Sequence, residues 1–150
     1  MDRIDRQILK YLQRDSAASM QDMAQEVGLS GSACHRRVRA LEAAGLIRGY
    51  RAELDPEAMG LTIEVLVQIT LTVQDEAALD AFEQAVTRAP EVLECWLLAG
   101  QADYMLRIMA EDMADYDRIH RHCLSRLPGV ASMQSSFSLR RIKPWQGYSL

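Results

Sequence analysis

Residues 30–45, SGSACHRRVRALEAAG, set the reading of the whole chain. On a helix, Cys34, Val38 and Leu41 fall at i, i+4 and i+7 along one apolar stripe, while Ser32, His35, Arg36 and Arg39 project from other faces. One greasy seam with an arginine-rich outer side describes a helix held by a small core and offering guanidinium groups to an anion. DNA is such an anion, because arginine makes bidentate hydrogen bonds to guanine edges and also neutralises phosphates. A solvated amphipathic helix has the same pattern, so the flanking sequence decides.

Upstream, Asp2 is placed to cap a first helix with Ile4, Ile8, Leu9 and Leu12 at helical spacing, Tyr11 extending that face. Ser19 precedes MQDMAQEV at 20–27, with Asp22 at the third helical position of a capping-box-like start and Gly28 as a left-handed C-cap. Met20, Met23, Ala24 and Val27 form the inner side. Only residues 28–30 separate this helix from the basic one, which takes Ser30 as its N-cap and ends at Gly45. Two short helices joined by a glycine-containing turn, the second of them basic, make a helix-turn-helix. Beyond it, IRGYRAEL at 47–54 reads as extended, with Arg48-Gly49 turning a small hairpin, a wing that sets Arg48 and Arg51 against the phosphate backbone.

The net charge of −4 hides a local excess of the opposite sign. Residues 1–60 carry 9 basic and 9 acidic side chains and residues 61–150 carry 8 and 12, so the negative balance lies in the second part. Within 31–52, Arg36, Arg37, Arg39, Arg48 and Arg51 face Glu42 alone, a local +4. Hydrophobic content of 49% with 25% charged residues suits a folded domain, and no apolar run reaches the roughly 18 residues of a membrane span. The charged start MDRIDRQILK lacks the apolar segment of a signal peptide, which points to a cytoplasmic location. Cys34, Cys95 and Cys123 are far apart and show no CxxC spacing, against a disulfide framework or structural zinc. His120 and His122 lie two apart on a predicted helix and point to different faces, so no metal site is expected; Cys123 reads as a small buried residue.

Asp55-Pro56 breaks the chain, and residues 57–60 have room for no more than one helical turn. The boundaries implied are a DNA-binding domain at 1–50, a linker at 51–61 and a second domain at 62–150. From Leu61 the period changes to two: Ile63, Val65, Val67, Ile69, Leu71 and Val73 alternate with mostly polar neighbours, a strand. Asp75 opens a helix with Leu79, Phe82, Val86 and Ala89 inward, stopped by Pro90. VLECWLLA at 92–99 and YMLRIMA at 104–110 are apolar enough for strands buried on both faces, with a turn at 100–103 between them. Asp112 opens another helix with Met113, Tyr116, Ile119 or His120, Cys123 and Leu127 inward, closed by Pro128-Gly129. Residues 130–143 alternate again through Met133, Ser135, Phe137 and Leu139.

Strand, helix, strand, strand, helix, strand is the order of the ferredoxin-like split βαβ sandwich, so the class is α+β: a winged helix-turn-helix followed by a ferredoxin-like domain. Two helices on one side leave the other sheet face open. It would carry Trp96 or Cys95, Leu66 and serine-rich positions of the last strand, a surface suited to pairing with a second copy. Such a homodimer delivers two recognition helices to two half-sites on double-stranded DNA.

With these segments in place the chain resembles the Lrp/AsnC, or feast/famine, family of prokaryotic transcription regulators. The resemblance is carried in order by IDRQIL, MAQEVGLS, CHRRVRALEAAGLIRGY, LDPEAMGL, GQADYMLRI and SSFSLRRIK, and it covers nearly the whole chain. It implies a ligand-binding second domain that oligomerises, with dimers assembling to tetramers or octamers, and a small amino acid or related metabolite as effector, with no other cofactor. By the same resemblance Gly100, Asp103 and Tyr104 match the family's Gly-x-x-Asp-Tyr turn, where the effector's ammonium and carboxylate are held, and Ser135 and Ser136 match hydroxyls near that pocket. An acidic residue often follows the family's glycine; here it is Gln101. For DNA the assignments are Ser30, Ser32, His35, Arg36 and Arg39 at the reading helix, the last four on base edges, with Arg37, Arg48 and Arg51 on phosphate. The competing class is an enzyme, since tetrapyrrole decarboxylases are similar in overall fold, and His120, His122, Tyr104 and Arg107 would be its candidates. No acid, base and nucleophile converge in the sequence, so the chain reads as a regulator and not an enzyme.

Overall fold

The computed structural model describes all residues, Met1–Leu150. They divide into two compact units, Met1–Glu53 with Ile142–Leu150, and Leu54–Arg141.

The first unit holds α1 (Arg3–Arg14), α2 (Met20–Val27) and α3 (Gly31–Ala43). Each begins where a side chain satisfies a helix-end N–H. Asp2 accepts from the Asp5 amide at 2.8 Å while Asp5 accepts from the Asp2 amide at 2.9 Å, a reciprocal box built from two aspartates. Ser19 accepts from Asp22 N and Ser30 from Ala33 N. Gly28 ends α2 at φ +71°, a left-handed conformation that costs glycine nothing, and this tight stop turns the chain directly into α3. Ile8, Tyr11, Met23, Ala24, Val27, Cys34, Val38 and Leu41 then meet in one buried cluster. Each large side chain removed from water there contributes on the order of 1.5–3 kcal/mol.

The segment after α3 differs from the hairpin expected at Arg48-Gly49. The Leu46 and Ile47 amides both bond to the Leu41 carbonyl, at 3.0 and 3.3 Å, and the chain then continues without helix, strand or ladder hydrogen bonds through Asp55. Only Ile47 of this stretch joins the core, so a second strand would have no apolar face to bury. In place of a hairpin wing the chain has an irregular arm.

The second unit is a sheet of four antiparallel strands in the order β2-β3-β1-β4: β1 (Ile63–Leu71), β2 (Val92–Leu97), β3 (Tyr104–Ala110) and β4 (Val130–Phe137). α4 (Glu76–Thr87) follows β1 and α5 (Met113–His122) follows β3, capped by Asp75 and Asp112. Val65, Val67, Ile69 and Leu71 alternate inward and pack with Leu106, Ile108, Phe82, Val86, Tyr116 and Ile119. Cys123 is half-buried at the end of α5, and Leu124 and Leu127 extend the core through a 3-10 turn.

Four expectations change here. β2 is not buried on both faces: it is an edge strand, exposed from Leu93 to Leu97, because β3 has β1 on its other side. β3 is likewise not buried throughout but alternates between buried and half-buried positions, the pattern of a sheet with helices on one side only. Met113 points outward from the first turn of α5 and is 56% exposed, and β4 ends at Phe137, leaving Leu139 in solvent. The open face carries rows Glu94, Arg107, Leu66, Ser136 and Trp96, Met105, Gln68, Gln134; Cys95 lies opposite Leu106, on the helix side.

The final residues 142–150 are grouped with the first unit. Gln13 explains why. Its side-chain amide donates to the Tyr148 carbonyl at 3.1 Å and its Oε1 accepts the Tyr148 N–H at 2.5 Å, so one side chain imitates a strand partner for the tail.

Candidate nucleic-acid interface and ligand turn

At about 100° per residue, Ser32, His35, Arg36 and Arg39 share an arc of roughly 100° on α3, opposite the buried seam of Cys34, Val38 and Leu41. All four are exposed, as are Arg48 and Arg51 on the arm beyond. Arg36, Arg48 and Arg51 make no ion pair within the chain, so their charge is undiluted. Ser30 is exposed, but its oxygen caps α3 through Ala33 N at 3.3 Å and lies 3.3 Å from Ser32 Oγ.

Arg37 does not join this face. Its Nη1 donates to Asp2 Oδ2 and Asp5 Oδ1, each at 2.7 Å, tying α3 to the start of α1. The Asp2 carboxyl is held below the usual aspartate range by the Asp5 backbone N–H and then by Arg37. Residue 37 lies three after Cys34 and four before Leu41, beside the seam, and that spacing was the available sign that it faces a neighbouring helix. Glu42 and Tyr50 also belong to this surface, though spacing along the sequence does not single them out. Arg39 Nη1 donates to Glu42 Oε2 at 3.2 Å, and Tyr50 Oη donates to Glu42 Oε1 at 2.9 Å. Burial and then that carboxylate push the Tyr50 hydroxyl pKa up.

In the second unit the turn before β3 is firmly built. Asp103 Oδ2 accepts the Leu71 N–H and Oδ1 accepts from Gln74 Nε2, both at 2.7 Å. Its own N–H reaches the Ile69 carbonyl at 2.9 Å and its carbonyl receives the Leu98 N–H at 2.8 Å. Gln74 gave no sign in the sequence, since only the fold brings it to Asp103. The backbone N–H groups of Gly100 and Gln101, both exposed, make no bond within the chain and remain available to an anion. Tyr104 is core: it is 1% exposed, its ring sits 4.4 Å from that of Phe82, and its hydroxyl donates to Glu83 at 2.9 Å, with burial raising its pKa most.

Ser135 and Ser136 face opposite sides of the sheet. The Ser135 hydroxyl pairs with Tyr116 on the helix side, and Ser136 stands opposite Leu66 on the open face. Leu66 and Leu71 are five residues apart on β1, about 17 Å of strand, so one chain does not bring Ser136 to the Asp103 turn. On the same open face Glu64 receives Arg107 Nε at 2.6 Å and Arg141 Nη2 at 2.8 Å. No three His, Cys, Asp or Glu side chains come together as metal ligands would.

Comparison with known proteins agrees with both units. Residues 1–48 match a winged helix-turn-helix DNA-binding family and residues 64–147 match the Lrp/AsnC ligand binding domain. The Bkd operon transcriptional regulator of Pseudomonas aeruginosa is 41% identical over 142 residues, 95% of this chain and 93% of its own. The crystal structure of an AsnC family transcriptional regulator from Agrobacterium tumefaciens superposes with a TM-score of 0.93 at 34% identity, covering 99% of this chain and 97% of that one. A transcriptional regulator of Neisseria meningitidis, solved as a complex with L-methionine, gives a TM-score of 0.91 at 34% identity, over 96% and 93% of the two chains. These relatives are regulators, and the enzyme reading has no support among them. A basic helix-turn-helix joined to this sheet and turn is the arrangement of one family: the chain belongs to the Lrp/AsnC transcriptional regulators that bind DNA.

Proposed function

We propose that α3 enters the major groove with Ser32, His35, Arg36 and Arg39 against base edges, while Arg48 and Arg51 neutralise phosphates on either side. The observation that carries this is the single exposed arc of those four residues, followed by two arginines with no carboxylate partner. Arg37 is withdrawn from the phosphate set because it is turned to Asp2 and Asp5 on α1, and Ser30 from the DNA-binding set because its oxygen caps α3.

The open sheet face pairs two copies, and pairs of dimers build tetramers or octamers around the ligand turn. Leu66 and Trp96, 37% and 45% exposed on that face, are the apolar anchors for the first contact. A small amino acid then binds at the Gly100–Asp103 turn between dimers, its carboxylate on the free N–H groups of Gly100 and Gln101 and its ammonium beside Asp103. Ser136 reaches that pocket only from another copy, which agrees with a site shared between chains. The L-methionine complex of the similar Neisseria protein supports an amino-acid ligand. Ligand binding changes assembly, and assembly sets how many reading helices meet one operator at once. The location is the cytoplasm, with the DNA; no helix is long and apolar enough to cross a membrane.

The test uses the full chain and a duplex selected from a random-sequence pool. Thermal shift across the twenty amino acids identifies the effector, since a ligand bound only by the folded state raises the midpoint. Calorimetry with Asp103→Asn follows. Loss of heat with retained fold supports the turn, and full affinity moves the pocket elsewhere.

A further inference from the structure

Arg39 differs from the other arginines of the reading surface in being tied down. Glu42, one helical turn further along α3, holds Arg39 Nη1 at 3.2 Å, and Tyr50 on the arm holds the other oxygen of Glu42 at 2.9 Å. Arg39 remains 70% exposed at its side chain while Glu42 is 27% exposed. Glu42, the middle of this chain of contacts, is therefore partly sheltered, while both ends, Arg39 and Tyr50, are exposed. From these contacts we infer that Glu42 and Tyr50 are positioning residues for base recognition: they set the direction of the Arg39 guanidinium, and with it operator specificity.

Two physical effects follow. A free arginine loses much rotamer freedom when it docks, and a side chain already held in one direction loses less. The carboxylate also offsets the arginine's charge. A phosphate responds chiefly to net charge, whereas a guanine edge needs a planar fork of N–H donors. Pairing with Glu42 occupies one donor of five and weakens the pull toward phosphate, leaving the geometry that reads a base. Arg36, Arg48 and Arg51 lack such a partner and keep their full charge. The anchor also lies on the arm that bears Arg48 and Arg51, so Tyr50 ties the phosphate-binding segment to the reading helix.

This inference rests on the proposed role of Arg39, and the experiment separates the two. Affinities of the native full chain and of Tyr50→Phe, Glu42→Gln and Arg39→Ala are measured for the pool-selected duplex and for a scrambled duplex of equal composition. Tyr50→Phe removes only a hydroxyl, and Glu42→Gln keeps the shape of the side chain. Each is expected to reduce the ratio of selected to scrambled affinity by about two- to fivefold, the range of an exposed ion pair, with affinity for the scrambled duplex equal or higher. In the Arg39→Ala background, Tyr50→Phe is expected to change the ratio no further. An unchanged ratio in both Tyr50→Phe and Glu42→Gln overturns the positioning role, as does an equal loss of ratio with Arg39 already removed. If Arg39→Ala itself leaves the ratio intact, base reading by Arg39 fails first, and the positioning role with it.

Discussion

The carboxylate of Asp103 accepts the backbone N–H of Leu71 at 2.7 Å, fastening the turn before β3 to the end of the neighbouring strand. Gln74 Nε2 donates to the second oxygen at the same distance, so one side chain ties the turn both to the end of β1 and to the loop that follows it. Removing it leaves a part-buried strand N–H without its acceptor. Asp103→Ala should therefore destabilise the second unit by about 1–3 kcal/mol. Asp103→Asn, which keeps an acceptor for Leu71, should lose distinctly less in denaturant unfolding. Equal losses would show that the charge and not the acceptor holds the turn.

Arg37→Ala should lower the melting temperature of the protein while leaving the salt dependence of DNA binding as it was, because both of its contacts are to Asp2 and Asp5. Arg48→Ala should do the reverse. Melting curves and salt titrations on the same preparations distinguish the two roles. A reduced salt dependence in Arg37→Ala would return that residue to the phosphate-binding set.

Acid should weaken the open face of the sheet through Glu64. Burial alone would raise its pKa, but the Arg107 and Arg141 pairs outweigh that and hold the carboxyl below its usual 4.5. A folded-state pKa below the unfolded one stabilises fully above the unfolded value and is lost as pH falls through the folded value. The gap in melting temperature between the native protein and Glu64→Gln is thus largest at neutral pH and closes on acidification below about pH 4.5. A gap independent of pH would remove the ion pairs from the account.

The tail is held by a close approach that only glycine permits. Gly147 adopts φ +90°, and a Cβ there would lie 2.5 Å from Gln13 Oε1. Gly147→Val or Gln13→Ala should release residues 142–150, seen as faster amide exchange in the tail and a change in Trp145 fluorescence as its edge-to-face contact with Tyr148 is lost. Unchanged exchange in both variants would mean that the two bonds to Gln13 do not hold it.

Much of this architecture was legible because it rests on local chemistry. Asp2, Ser19, Ser30, Asp75 and Asp112 mark helix starts by the oxygen they offer, and the change from period 3.6 to period 2 at Leu61 separates the two units. Several departures share a cause, a partner distant in sequence. VLECWLLA reads as buried, but the strand order places it at an edge. Arg37 reads as one more basic side chain until α1 brings Asp2 and Asp5 to it. Gln13 carries no mark that a tail 135 residues away will pair with it. In the site, the exposed arc on α3 followed from helical spacing and the opposite orientations of Ser135 and Ser136 from the period of two, whereas the distance of Ser136 from the Asp103 turn required the register of β4 against β1.

In the proposed binding mode, charge on the arm after α3 meets the phosphate backbone beside a base-reading helix. Its most direct test is the slope of log affinity against log salt for the full chain and the pool-selected duplex, with Arg48→Ala and Arg51→Ala made singly and together. The slope is expected to fall by about 1 for each arginine removed per bound copy, with affinity for selected and scrambled duplexes weakened alike. A slope unchanged in the double variant would contradict it.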